Sequence, residues 1–275
     1  MNIMWFSREN LTSAAADKII PVSVVLDVGA GIHPQQYFVP NVQIIVEPFL
    51  PYVEKLQENE SGIPRKVYLI GTWDKVMPLL PDKSVDTIFA VDVIEHLTKE
   101  AGLTFLKEAE RVAKSQIIIF TPLGFYPQTY VENATDRWGM QGGVWQSHLS
   151  GWQVEDFENG WEILACKDYH QIDQYDQPLN EPIGAFWAIK TFSSVDVPRE
   201  KRYYISELDD DFLASYVYKM KGEKLLVYFD NDFLADYTRG RIGESLLSRF
   251  NSALLIVHLY KRIKSKLRRL FFSRK

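Results

Sequence analysis

"VVLDVGAGIHP", residues 24–34, decides how the rest of the chain is read. Val24-Val25-Leu26 is a short apolar run bounded by a turn signal, which predicts a buried strand. Gly29-Ala30-Gly31 predicts the sharp turn leaving that strand, and a residue without Cβ lets backbone N–H groups approach a ligand closely. Together they predict the first strand and binding loop of a nucleotide-type α/β fold. The stretch alone leaves open which nucleotide is held.

The surrounding chain alternates in the way such a fold needs. "VQIIVEPF" (42–49) reads as a second strand ending in Glu47, and "YVEKLQEN" follows with helical spacing. "RKVYLIG" (65–71), "SVDTIFAVDV" (84–93) and "SQIIIFTP" (115–122) predict the third to fifth strands, and 161–172 and 184–192 two later ones. Residues 98–114 predict a helix with Leu103, Leu106, Ala109, Val112 and Ala113 on one apolar stripe. Strands alternating with helices imply a mostly parallel sheet covered on both faces. Residues 123–160 are rich in Gly, Trp, Tyr and amides, and an insert of that length between core strands predicts a loop over a site.

Bulk properties narrow the class. The chain has 275 residues, 46% of them hydrophobic, enough to bury a full core. Cys166 is the single cysteine, which excludes an intramolecular disulfide and a multi-cysteine zinc site and fits a reducing compartment. "MNIMWFSREN" has no basic-then-apolar leader pattern, and the run "ALLIV" is too short to span a bilayer, so a cytoplasmic protein is expected. The net charge of −5 is unevenly spread. From Arg239 onward eleven Lys/Arg face one acid, Glu244, giving +10 and leaving −15 on residues 1–238 by subtraction.

Open α/β sheets bind ligands beyond the carboxyl ends of their strands. Glu47, twenty residues after Asp27, stands where an acid would meet ribose hydroxyls. NAD and S-adenosylmethionine both offer such a ribose. A dinucleotide fingerprint needs a third glycine for close helix packing at a pyrophosphate, and His33 or Pro34 stands there instead. Asp27 is also unfavourable beside a pyrophosphate but acceptable beside a sulfonium and an ammonium. These features favour the methyl donor.

"LDVGAGIHP", "VEPF", "LPDKSVDTIFAVDVIEHLTKEAG" and "IIIFTPLGFYPQ", in that order, resemble the class I S-adenosylmethionine-dependent methyltransferases over roughly residues 20–192. The replaced third glycine is the departure from the pattern. The resemblance implies a Rossmann-like, seven-stranded, mostly parallel sheet flanked by helices. It also implies S-adenosyl-L-methionine as cofactor, with Asp27, Gly29 and Gly31 along its methionine part and Glu47 at its ribose. Trp73 or Asp74 of "GTWD" would flank the adenine, and Asp92 would close the pocket. Trp73 reads equally well as a core residue.

A hydroxyl acceptor needs a base, and histidine is the natural choice. His96 follows strand four and His148 lies in the insert, so these two are the candidate catalytic residues; His170 and His258 read as ordinary strand and helix residues. Asp92, Glu95, His96 and His148 together are similar to the metal-assisted site of small-RNA 2′-O-methyltransferases. Asp92 stands where a glutamate would be expected there, and no metal is expected here. Trp138, Trp145 and Trp152 could stack on a sugar or aromatic ring, or form a satellite core.

Residues 1–195 are expected to form the methyltransferase domain and 196–275 a C-terminal extension. Within it, residues 246, 250, 253, 257, 260, 263, 267 and 270 make one apolar helical stripe opposite six Lys/Arg. That pattern fits an interfacial helix on an anionic membrane surface, a helix docked on the core, or, less favoured, a nucleic-acid contact. The expected acceptor is a hydroxyl on a glycan, a lipid-linked intermediate or another small molecule. The rival readings are a membrane-associated scaffold with a vestigial nucleotide pocket and an NAD(P) oxidoreductase.

Overall fold

The computed structural model describes residues 2–58 and 65–192 and the backbone of 226–229. Every strand predicted from the sequence forms. In chain order the elements are β1 (Asn2–Trp5), α1 (Arg8–Ala16), β2 (Val24–Val28), β3 (Val42–Glu47), α2 (Leu50–Glu58), β4 (Arg65–Ile70) and α3 (Trp73–Val76). They continue with β5 (Val85–Val91), α4 (Lys99–Val112), β6 (Ala113–Leu123), β7 (Trp161–Ile172), β8 (Pro178–Thr191) and β9 (Leu226–Phe229). One nine-stranded sheet runs in the order β1-β7-β8-β6-β5-β2-β3-β4-β9. Pairings from β4 through β3, β2 and β5 to β6 are all parallel; β8 runs antiparallel between β6 and β7, and β9 antiparallel to β4.

The central strands read as continuous apolar runs because both their faces are covered. Every residue of β2 and β3 is buried. Alternate side chains enter two separate layers. Val25, Phe89 and Ile118 pack with Leu11 and Ala15 of α1, whereas Leu26, Ile88 and Ile117 pack with Phe105, Leu106 and Ala109 of α4. Thr98 caps α4 by accepting from the Ala101 N–H. The predicted stripe on α4 is corrected at Leu103, which is 40% exposed; Gly102 and Phe105 are buried in its place. Gly102 is needed because a Cβ there would collide with the Trp152 ring, which the helix crosses at close range. Ala113, read as the last residue of the stripe, begins β6.

Two strands go beyond the seven. β1 and β9 are four-residue edge strands, too short to carry a period, and β9 comes from the stretch read as extension. The basic amphipathic helix expected at 244–275 lies outside the described residues. Among the described residues no helix is long and apolar enough to cross a membrane.

β2 sits at the switch point of the sheet, with β3 on one side and β5 on the other, so a crevice opens beyond its carboxyl end. The loop that follows is not the start of a helix. Residues 29–41 carry turns and bends only, since Gly29 and Gly31 both have positive φ, +64° and +55°. No helix N-terminus therefore faces the crevice from this loop.

Candidate active site

Gly29 donates its N–H to the Val46 carbonyl at 2.7 Å, and Gly31 donates to Glu47 Oε2 at 3.0 Å. The Glu47 carboxylate also accepts from the Phe49 N–H at 2.9 Å, so one buried acid holds both the glycine loop and the end of β3. Beneath the loop, Asp27 Oδ2 accepts from the Gln35 N–H at 2.7 Å and from Gln43 Nε2 at 2.9 Å. Both acids are 3% exposed, and burial pushes each carboxyl up to about 7.

Two cavities meet at this loop. The inner one, about 280 Å³, is lined by Gly29, Gly31, Glu47, Trp73 and Asp92, and among the described residues no lysine or arginine lines it. The outer one, about 610 Å³, is lined by Asp27, Asp92, His96, His148, Tyr37 and Tyr126 among others. Gly29, Asp92, His96 and Gln146 belong to both. The structure thus gathers eight of the nine predicted site residues. Asp74 is the exception: it lies exposed in the first turn of α3, away from both cavities. Trp73 takes both of its readings at once, lining the inner cavity while its ring stands edge-on to Phe105 at 5.4 Å.

Asp92 follows β5 at φ +53°, a left-handed conformation that aspartate enters more readily than most residues but that only glycine adopts freely. Its N–H is tied to the Phe120 carbonyl at 3.0 Å, which fixes the turn and presents the carboxylate to both cavities. The side chain is open to the cavity yet set deep, and that depth pushes the carboxyl up to about 6. Glu95, three residues on, is held well above the usual carboxylate range by burial and by the Asp92 charge. Glu95 Oε2 accepts from Thr121 Oγ1 at 3.0 Å, while Oε1 finds no donor among the described residues.

The insert expected over the site closes onto these groups. Leu149 and Ser150 donate their N–H groups to the Glu95 carbonyl, at 2.7 and 3.1 Å. Tyr52 donates to Asp136 at 2.5 Å, and Trp138 packs on Gly31 and edge-on to Tyr52. His148 arrives 4.8 Å from His96, ring centre to ring centre. His96 Nδ1 lies 3.1 Å from the Ser147 carbonyl and His148 Nδ1 2.6 Å from the Tyr126 carbonyl. A carbonyl only accepts, so Nδ1 carries the proton in each ring and each Nε2 is left as a lone pair. Burial lowers both histidines, His96 to about 4, so both are neutral at physiological pH.

Glu95, His96 and His148 each offer a ligand atom, and these atoms lie within 4.8 Å of one another. A carboxylate and two neutral imidazoles are a donor set that suits a first-row divalent ion, and the orphaned Glu95 Oε1 fits such a group. The clustering is tertiary: Glu95 and His96 sit on a short 3-10 turn, Ile94–His96, and His148 comes from the insert.

Sequence reasoning missed two cavity groups. His170 lines the outer cavity, stacked on Tyr126 at 4.7 Å, and burial pushes it to about 4. Tyr37 lines the same cavity from the loop after Gly31. Of the three tryptophans offered as stacking platforms, Trp152 is fully buried against α4, with Nε1 donating to Ser150 Oγ. Trp138 packs on the glycine loop and lines the outer cavity, and Trp145 lines the inner one.

No described protein family matches the chain, and no curated protein matches it. Among solved structures it is similar to a methyltransferase dependent on S-adenosylmethionine from Archaeoglobus fulgidus, at 14% identity and TM-score 0.39 over 67% of this chain and 95% of that one. It is similar to the YcgJ protein of Bacillus subtilis, at 15% identity and TM-score 0.44 over 66% and 97%. A third is the magnesium protoporphyrin IX methyltransferase of Synechocystis PCC 6803 with bound S-adenosylmethionine, at 14% and 0.39 over 67% and 79%. The strand order, with one antiparallel strand inserted beside β6, is that of the class I methyltransferase fold. No activity is carried over from these likenesses.

Proposed function

We propose that this protein is an S-adenosylmethionine-dependent methyltransferase acting on a hydroxyl of a small molecule or glycan. The observation that carries the reading is the charge of the crevice. Asp27 and Glu47 lie buried beside the glycine loop with Asp92 on the wall of both cavities, and among the described residues no lysine or arginine lines the inner cavity. Uncompensated buried carboxylates are costly unless a cation joins them. A sulfonium and an α-ammonium supply that charge; a pyrophosphate would add to the repulsion and would meet no helix N-terminus from the glycine loop.

The residues present fit this cofactor. When bound, it supplies an electrophilic methyl group on a positively charged sulfur. Glu47, at the end of β3, accepts from ribose hydroxyls, Trp73 flanks the adenine, and Asp27 and Asp92 lie toward the charged end. Alignment of nucleophile, carbon and sulfur by rigid walls can supply about 7–11 kcal/mol. His148 Nε2 is oriented to take the acceptor proton, a contribution of about 10²–10⁴-fold. His96, wedged beside it with its proton on the Ser147 carbonyl, holds the second lone pair. Were a divalent ion held by Glu95, His96 and His148, the Nε2 lone pairs would be its ligands and the ion, in place of His148, would acidify the hydroxyl.

Label transfer from S-adenosylmethionine into a small-molecule and glycan extract tests this. His148→Ala is expected to lower transfer at least 100-fold while binding of S-adenosylhomocysteine is unchanged; unaltered transfer would remove the assigned base. The sequence pattern of 244–275 supports placing the enzyme at an anionic membrane surface, an arrangement distinct from its chemistry. The full chain should then float with phosphatidylserine vesicles and stay behind with phosphatidylcholine ones. Equal behaviour with both would refute it.

A further inference from the structure

One short stretch of the insert touches both cavities. Val144, Trp145 and Leu149 line the inner cavity, His148 lines the outer one, and Gln146 lines both. The three apolar members are exposed, Val144 by 54%, Trp145 by 41% and Leu149 by 60%. They share the inner wall with Trp73, Val93 and Leu97 from the body of the fold. We propose that Val144, Trp145 and Leu149 bind the nucleoside of the methyl donor, and that this contact restrains the stretch of chain that carries His148. The insert is then part of the donor site as well as the carrier of the base. This rests on the methyltransferase reading of the same site.

Three observations carry the proposal. Large apolar side chains grouped in the open beside a cavity mark a ligand-binding surface, because water is a poor partner for them until something covers them. Asp27 lines only the outer cavity and Glu47 only the inner one, so a donor with its ribose at Glu47 and its charged end toward Asp27 places its base in the inner cavity, where the insert residues stand. A purine is flat and uncharged, with apolar faces that suit an indole, a valine and a leucine.

The third observation is that the backbone here is held while the side chains are not. Gly143 donates to the Ala134 carbonyl at 3.1 Å, Trp145 to the Gly142 carbonyl at 2.9 Å and Leu149 to the Glu95 carbonyl at 2.7 Å. The Ser147 carbonyl meets His96 Nδ1 at 3.1 Å. Trp138 and Trp152 each pack against another ring, but Trp145 has no ring contact and its Nε1 no hydrogen-bond partner among the described residues. A fixed backbone with uncovered side chains is a preorganised binding surface, which loses little freedom when the ligand arrives. His148 lies between Trp145 and Leu149, its N–H on the Gln128 carbonyl at 2.8 Å, so a ligand seated on both neighbours also steadies the base.

The test uses the full chain with three probes: S-adenosylhomocysteine, 5′-methylthioadenosine, which keeps the nucleoside and lacks the amino acid, and homocysteine, which lacks the nucleoside. Hydrogen exchange across residues 143–150 is expected to slow with either of the first two at saturation and not with the third. Trp145→Ala is expected to weaken binding of both nucleosides at least tenfold and by the same factor, and Trp145→Phe to recover most of it. Because Trp145 is exposed, the melting temperature of the empty protein should stay where it is in both variants. Unchanged nucleoside binding in Trp145→Ala would overturn the proposal and leave the methyltransferase reading standing. So would S-adenosylhomocysteine binding with no slowing across 143–150, or a weakened Trp145→Ala whose empty form also melts lower and which phenylalanine does not rescue. Failure of the wild type to bind S-adenosylhomocysteine would instead overturn the reading on which it rests.

Discussion

Asp27→Asn separates the fold's need for this residue from the ligand's need. Both hydrogen bonds that Asp27 accepts, from the Gln35 N–H and from Gln43 Nε2, fall on the same oxygen, Oδ2. An asparagine with its carbonyl oxygen in that place keeps both and removes only the charge. The carboxyl is raised from 3.8 to about 7 by burial, so the folded state holds the proton more tightly than the unfolded chain does. That stabilisation is fully present below pH 3.8 and is lost as pH rises to about 7. Above that point the charged Asp27 costs the empty protein up to about 4 kcal/mol, and clearly less at pH 5. The variant should therefore melt higher than the wild type, by up to about 10 °C at pH 8 and by clearly less at pH 5. Loss of a charge-assisted contact of about 1.5–3 kcal/mol should weaken S-adenosylhomocysteine binding roughly 10- to 150-fold. Thermal melts at the two pH values and a titration read both effects. A variant that melts lower at pH 8, or that binds the ligand as the wild type does, would refute the reasoning.

Gly31→Ala places a Cβ 2.5 Å from Trp138 Cη2 on a backbone at φ +55°, and is expected to cost roughly 1–3 kcal/mol in a melt and to abolish cofactor binding in a titration. Tyr52→Phe removes a donor from Asp136, which also accepts from the N–H groups of Trp138, Met140 and Gly142. Limited proteolysis should then cut within 124–151 sooner, reflecting a loss of about 1–3 kcal/mol from the insert. Asp92→Gly relieves a left-handed residue worth about 1 kcal/mol and removes the carboxylate on the wall shared by both cavities, so the melting temperature should rise while methyl transfer is lost.

The strands of this fold were legible because parallel strands covered on both faces must be apolar throughout, as β2 and β3 are. The edges were not: β1 is four residues long with no buried position, and nothing in its period distinguishes it from a loop. In the site, Gly29, Gly31, Glu47 and Asp92 could be placed because each stands at a strand end, where topology alone fixes its position. His96 and His148 could be named as residues of interest, but their convergence depends on the insert folding back through the Glu95 carbonyl. Tyr37 carried no signal beyond its place after the glycine loop. The tryptophans carried two readings because an aromatic ring reads alike whether it faces a ligand or the core, and Gly102, the small residue that admits Trp152, lies fifty positions away from it.

The central claim is that the crevice beyond β2 holds a methyl donor rather than a dinucleotide. Calorimetric titration of the purified full chain with S-adenosylhomocysteine, with NADH run beside it, tests this most directly. The account predicts micromolar binding of the first and none of the second. Binding of NADH alone, or of neither, would contradict it.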